Sequence, residues 1–210
     1  MGFESEDLKI TARFIKSSAD AAHFPAAGAP EIAFAGRSNV GKSSLLNSLI
    51  GARLAHVSST PGRTRTINFF AIDEGKAEQP ALLFADLPGY GYAKISKAIS
   101  AEWPKFIEPY LRERETLALT VVLVDSGVPT QASDVLLVEW LEEHRRPYLL
   151  VATKTDRLSG NQRSQALRRV ARDFDTDEVV PYSVKTGAGR EELWRRIRAA
   201  ARAALSLRVP

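Results

Sequence analysis

Gly36-Arg37-Ser38-Asn39-Val40-Gly41-Lys42-Ser43 reads GxxxxGK[ST], and it follows the apolar run Ile32-Ala33-Phe34-Ala35 without a break. A strand that runs straight into such a loop is suited to hold phosphate. Glycine lets main-chain NH groups converge on one centre, and the helix that follows adds its positive N-terminal dipole. Lys42 is expected to reach the β- and γ-phosphates of a nucleoside triphosphate, and Ser43 to offer its hydroxyl to Mg2+. The required helix is present in Ser44-Leu45-Leu46-Asn47-Ser48-Leu49-Ile50, closed by Gly51. An ordinary glycine-rich turn is the alternative reading, and that flanking context weighs against it.

Bulk properties bound what can be built around this loop. A chain of 210 residues, 44% of them hydrophobic, buries the core of one α/β domain and little more. With no cysteine there is neither a disulfide framework nor a thiolate metal site, and the three histidines are scattered. The start MGFESEDLKI is acidic, and no segment approaches the roughly 18 apolar residues of a spanning helix. A soluble, cytoplasmic protein without a membrane partner is the expectation. Charge is uneven: residues 1 to 144 carry 14 basic and 18 acidic side chains, whereas residues 145 to 210 carry 15 and 7. The overall charge of +4 therefore arises in the C-terminal third.

Strand-length apolar runs alternate with segments of helical period, the pattern of a parallel sheet with covering helices. Strands are predicted near 31–36, 66–72, 81–87, 118–125, 147–153 and 179–183, and helices near 42–50, 94–114, 133–144, 159–173 and 190–205. The polar link from Asp73 to Pro80 is too short for a crossover helix, so the second and third strands should form an antiparallel hairpin. Trp103, Phe106 and Tyr110 should pack inward, with a break or kink where Pro104 and Pro109 fall. Residues 8–17, with Ile10, Ala12, Phe14 and Ile15 among polar neighbours, read equally as an added strand or a tail.

Three further motifs choose the nucleotide. Asp86-Leu87-Pro88-Gly89 is a DxxG at the carboxyl end of an apolar run, where ligands of open α/β sheets gather. Asp86 should hold the Mg2+ water shell and the Gly89 NH should sense the γ-phosphate. Thr153-Lys154-Thr155-Asp156 supplies base recognition, because one carboxylate, Asp156, can accept both the N1 hydrogen and the exocyclic amine of guanine. Adenine lacks that N1 donor, and a buried carboxylate left unpaired would exclude ATP. Lys154 should lay its aliphatic stem along the purine. Thr153 stands where asparagine is usual and retains one hydrogen bond to the loop. Tyr182, Ser183 and Val184 complete the base side, with Ser183-Val184-Lys185 read as an SxK element meeting the guanine oxygen. The loop from Ser58 to Thr66 should be switch I, its Gly62, Arg63, Thr64, Arg65 and Thr66 closing on the nucleotide, and Thr64, or alternatively Thr66, should ligate Mg2+ in the triphosphate state. A plain Pro-Gly turn is the alternative there. The metal set is thus Ser43, Thr64 and Asp86. The fold expected is α/β: a P-loop NTPase of the Ras-like GTPase kind, with a mostly parallel six-stranded sheet, one antiparallel strand and helices on both faces.

GRSNVGKSS, TPGRTRTINFF, DLPGYGYAK and TKTD, in this order, resemble the EngB family (YihA/YsxC) within the TrmE-Era-EngA-EngB-like group of P-loop GTPases. The resemblance spans about residues 25 to 200 and sets residues 1–24 apart as an extension, 25–206 as the GTPase domain and 207–210 as a tail. It implies GTP/GDP and Mg2+ binding in the bacterial cytoplasm, a role in maturing the large ribosomal subunit, and a need in cell division and septation. It also suggests a catalytic set of Lys42, Thr64, Gly89 and Asn39, where Asn39 is either a ligand for a stimulating K+ or a structural asparagine. Ras-like proteins place a water-orienting glutamine after DxxG, but Tyr90 stands there, so intrinsic hydrolysis should be slow. Many relatives have an arginine after the aspartate where this chain has Asp125-Ser126-Gly127.

In the last helix Leu193, Ile197, Ala200 and Ala204 share one face, and Arg195, Arg198 and Arg202 form a stripe on the other, extended by Arg163, Arg168, Arg169 and Arg172. The stripe is a candidate contact for ribosomal RNA, a solvated face being the alternative. DNA is not expected as a partner, and nothing demands more than a monomer. A GTPase switch and a nucleotide-gated RNA-binding module with negligible turnover both fit, while an ATPase is disfavoured by Asp156.

Overall fold

A computed structural model describes residues 10–55, 66–75, 80–90 and 107–207. The described strands are β1 (Ile10–Ser18), β2 (Glu31–Gly36), β3 (Ile67–Glu74), β4 (Leu82–Asp86), β5 (Leu117–Asp125), β6 (Tyr148–Thr153) and β7 (Val179–Pro181). The helices are α1 (Lys42–Ile50), α2 (Ile107–Glu113), α3 (Ala132–Glu143), α4 (Gly160–Asp173) and α5 (Arg190–Ser206). Helices α1, α3, α4 and α5 match their predicted segments closely, whereas α2 covers only the end of the segment predicted near 94–114, whose residues 94–106 lie outside the described residues. Helix α4 opens on a capping box in which Ser159 and Gln162 satisfy each other's backbone amides. The expected kink around Pro104, with Trp103 and Phe106, lies outside the described residues. Pro109 sits within α2 without ending it, and Tyr110 packs inward at 1% exposure.

All seven strands form one sheet in the order β1-β3-β4-β2-β5-β6-β7. The predicted hairpin is there, since β3 and β4 pair antiparallel from Asn68–Asp86 to Ile72–Leu82. The count of six strands is corrected to seven. Residues 10–18 add β1 antiparallel to β3, so β3 remains the one strand running against the rest. A register shift between Phe14 and Lys16 breaks the alternation of β1, which is why its sequence reads ambiguously. β7 stops at Pro181 rather than 183, because the Ser183 amide leaves the ladder for the Ala188 carbonyl at 3.0 Å.

β2 lies at the centre, and its side chains divide the core. Ile32 and Phe34 point to a layer with Leu45, Leu46 and Leu49 of α1 and Leu193, Trp194 and Ile197 of α5. Ala33 and Ala35 point to the opposite layer with Leu111 of α2, Leu137 and Leu141 of α3 and Val170 of α4. Because β4 and β5 flank β2, the chain turns to opposite sides after adjacent strands, and a crevice opens above their carboxyl ends. The P-loop sits at that switch point. At the other end of β2, Glu31 is fully buried and accepts hydrogen bonds from Tyr110 Oη (2.8 Å), Arg114 Nε (2.8 Å) and Thr116 Oγ1 (2.6 Å). That network is remote from the crevice and reads as structural.

Candidate nucleotide site

The loop between β2 and α1 turns through two left-handed residues, Asn39 at φ 65° and Gly41 at φ 104°. Asparagine tolerates this region better than most residues, which suits Asn39 to the turn. Gly36 is required by crowding: a Cβ there would stand 2.9 Å from Val40 Cγ1 and 3.2 Å from the Leu123 carbonyl oxygen. Lys42, at the start of α1, forms an ion pair with Asp86 at the end of β4. The two side chains assigned to phosphate and metal are therefore neighbours, and Ser43 follows Lys42 in the first turn of the same helix.

DxxG closes the site from the β4 side. The β2–β4 pairing continues past the strand ends: Leu87 N donates to Phe34 O (3.1 Å), Tyr90 N to Gly36 O (3.4 Å) and Ser38 N to Tyr90 O (3.0 Å). Leu87 and Pro88 are buried, whereas Gly89 is exposed and lies so close to the P-loop that a Cβ would meet Ser38 Oγ at 3.0 Å and Ser38 N at 3.2 Å. The Tyr90 ring turns into the protein, and its hydroxyl donates to Asp134 Oδ1 of α3 at 2.9 Å. Burial pushes the Asp134 carboxyl up to about 6, against the opposing pull of that hydroxyl and of Arg37.

On the base side, β6 delivers four consecutive residues with distinct duties. The Thr153 hydroxyl donates to Val40 O at 2.7 Å and lies 3.1 Å from Val124 O, so a single donor ties this strand to the P-loop. Lys154 adopts a left-handed backbone at φ 59° and crosses the crevice, its Nζ giving one proton to Asn39 O (2.7 Å) and one to Asp125 Oδ2 (2.7 Å). Thr155 is buried and bonds through its hydroxyl to Tyr182 O at 3.0 Å. Asp156 accepts from Ser183 Oγ at 2.7 Å, and this bond holds its carboxyl below the usual range. Asp156 is exposed, not the buried carboxylate of the sequence reading.

Most sequence-assigned residues thus converge on one crevice. Gly62, Arg63, Thr64 and Arg65 of the expected switch I lie outside the described residues, and Thr66 is half-buried just before β3. Tyr182 departs from its assignment. Its ring is buried with the hydroxyl on Ser48 of α1 (3.0 Å), so it serves the base loop only through its carbonyl. Val184 is exposed beside Ser183. Two carboxylates were missed, Asp125 and Asp134. Only the position of Asp125 at the carboxyl end of β5 could have flagged it.

The arginine stripe of α5 also differs from its reading. Arg198 is half-buried over the Trp194 ring (5.2 Å) and paired with Glu74 of β3 at 2.8 Å, because its position borders the packed face. Arg195 is paired with Glu192, and Arg196 with Glu192 and Glu178. Arg202, and Arg163 and Arg168 of α4, are exposed without a carboxylate partner among the described residues. Among those residues, no helix is long and apolar enough to cross a membrane.

A family model described as 50S ribosome-binding GTPase matches residues 31–154, more than half of the chain. The probable GTP-binding protein EngB of Koribacter versatilis is 55% identical over 190 residues, covering 90% of this chain and 94% of the relative. That of Acidobacterium capsulatum is 57% identical over 191 residues, 90% of each chain. A crystal structure of a probable GTP-binding protein engB overlays with a TM-score of 0.61 at 24% identity, covering 82% of this chain and 99% of that one. Aquifex aeolicus Era bound to GDP and aluminium fluoride overlays with a TM-score of 0.64 at 23% identity, over 80% of this chain and 55% of Era; such likeness speaks to the fold alone. On the family match and the two relatives at more than half identity, the chain has the P-loop GTPase fold and belongs to the EngB family of GTP-binding proteins.

Proposed function

We propose that this chain is a bacterial cytoplasmic GTPase that works as a switch on the maturing large ribosomal subunit, with the consequence for cell division that the family resemblance implies. The observation that carries the nucleotide part is the joining of phosphate and base elements in one crevice, where Thr153 and Lys154 hydrogen bond directly to the P-loop carbonyls of Val40 and Asn39. GTP spans that distance with its phosphates at Gly36–Ser43 and its base at Asp156 and Ser183. The ribosomal part is supported by the description of the matching family model and by the charge excess of residues 145 to 210.

The donor set fits Mg2+. Ser43 and Asp86 would offer it hard oxygen atoms from the start of α1 and the end of β4. Such an ion would neutralise charge building on the phosphates. Thr64 is proposed to join it when switch I closes. Lys42 exchanges its contact with Asp86 for phosphate oxygens, and the Gly89 amide meets the third phosphate.

With the Tyr90 hydroxyl engaged by Asp134, the residue after DxxG is turned away from any attacking water. Slow intrinsic hydrolysis follows, and K+ at Asn39 remains a proposed accelerator. The exposed arginines best placed for ribosomal RNA are Arg163, Arg168 and Arg202, since Arg195 and Arg198 are internally paired. Single-turnover GTP hydrolysis with and without large subunits tests the reading. Stimulation by the subunit is expected; GTP-dependent docking without stimulation would favour a binding module instead.

A further inference from the structure

Resting on the nucleotide site proposed above, the geometry points to Asp134 as a positioning residue for the triphosphate, acting through Tyr90 to hold Gly89 against the P-loop. Gly89 cannot set its own place. It is exposed, and its neighbours toward the chain start, Leu87 and Pro88, are fixed by the core. What holds it from the other side is Tyr90, whose main chain bonds to Gly36 O and Ser38 N and whose hydroxyl reaches Asp134 at 2.9 Å. The residue after Gly89 is thereby clamped twice, by backbone to the loop and by side chain to α3.

Asp134 is an expensive choice for filling space. It is 3% exposed in the first turn of α3, faced by the Tyr90 hydroxyl from the β4 side, by Arg37 from the P-loop and by the Gln131 main chain of its own element. An apolar side chain would close the gap between α3 and the DxxG loop at lower cost. A carboxylate oxygen does one thing an apolar group cannot, which is to fix the tyrosine hydroxyl at a point. Through that point Gly89 is held against the P-loop, so close that an added Cβ would stand 3.2 Å from Ser38 N. Because only the third phosphate is expected to meet the Gly89 amide, the latch acts on GTP and leaves GDP alone. Helix α3 and the triphosphate are then energetically coupled, and a partner that moved α3 would change the preference between the two nucleotides.

Affinities for GDP and for a non-hydrolysable GTP analogue, measured on wild type, Tyr90→Phe, Asp134→Ala and Asp134→Asn, test this. Tyr90→Phe keeps the ring in its packed place, and thermal melts report whether each variant is folded. Tyr90→Phe and Asp134→Ala should each weaken the analogue by about tenfold with GDP unchanged, the double variant should lose no more than either alone, and Asp134→Asn, which still accepts from the hydroxyl, should restore the preference. Equal loss for both nucleotides, or no loss in folded variants, would overturn the latch while leaving the site intact. A wild type that binds neither nucleotide would overturn the site reading and the latch with it.

Discussion

Removing Asp125 should weaken guanine nucleotides without changing the preference between GTP and GDP. Lys154 spends two of its three protons on fixed acceptors, Asn39 O and Asp125 Oδ2, both at 2.7 Å. The second oxygen path of the carboxylate is also used, since Asp125 Oδ1 accepts from Gly127 N at 2.9 Å. The aspartate is therefore rigid, and the ammonium it holds is aimed by a left-handed backbone at φ 59°. A hydrogen bond between charged partners contributes about 1.5 to 3 kcal/mol. Both side chains keep about a fifth of their surface, 22% for Lys154 and 18% for Asp125, so the freed ammonium partly rehydrates. The net cost to an ordered lysine stem is then about 1 to 2 kcal/mol, or roughly five- to thirtyfold in affinity. Asp125→Ala assayed by displacement of a fluorescent guanine nucleotide should show this loss for GDP and a GTP analogue alike, and Asp125→Asn a smaller one. Affinity within about twofold of wild type, in a protein that still melts cooperatively, would refute the idea that Asp125 aims Lys154.

Asp156→Asn should lower GTP affinity roughly a hundredfold and raise that for the xanthine nucleotide, whose ring carries a carbonyl where guanine carries the amine; competition binding reads both, and unchanged GTP affinity would contradict it. The raised carboxyl of Asp134 predicts a pH effect with a definite sign. With a folded value of about 6 against 3.8 unfolded, its contribution to stability is full below 3.8 and is lost as pH rises through 6, about 3 kcal/mol in all. Asp134→Asn should remove that slope, so the difference in melting temperature between variant and wild type should grow from pH 4 to pH 7 (about neutral), and parallel curves would contradict it. Gly189 sits at φ 83° before α5, and a Cβ there would fall 2.0 Å from Pro181 O. Gly189→Ala should therefore melt at a markedly lower temperature or fail to fold, whereas Gly160→Ala, with nothing within 4 Å, should not.

What the sequence made legible was local. The P-loop declared itself because strand, loop and helix are contiguous, and the β3–β4 hairpin because its connection is too short for a helix. β1 was not legible, since its bulge between Phe14 and Lys16 shifts the alternation in mid-strand. Phosphate and base elements were assigned one by one, but their joining was not, because Thr153 and Val40 lie 113 residues apart and meet only through the order of β2, β5 and β6. Tyr90 and Asp134, 44 residues apart, meet for the same reason. Charge patterning misled at Arg198, where helical spacing placed it on an outer stripe but Glu74, from a strand far earlier in the chain, draws it inward.

Equilibrium titration of the purified chain with GTP and with ATP, in the presence of Mg2+, bears most directly on the crevice joining Lys42 to Asp156. Saturable GTP binding, with ATP weaker by on the order of a hundredfold or more, is the predicted result. ATP bound as tightly as GTP, or neither bound at all, would contradict the account at its root.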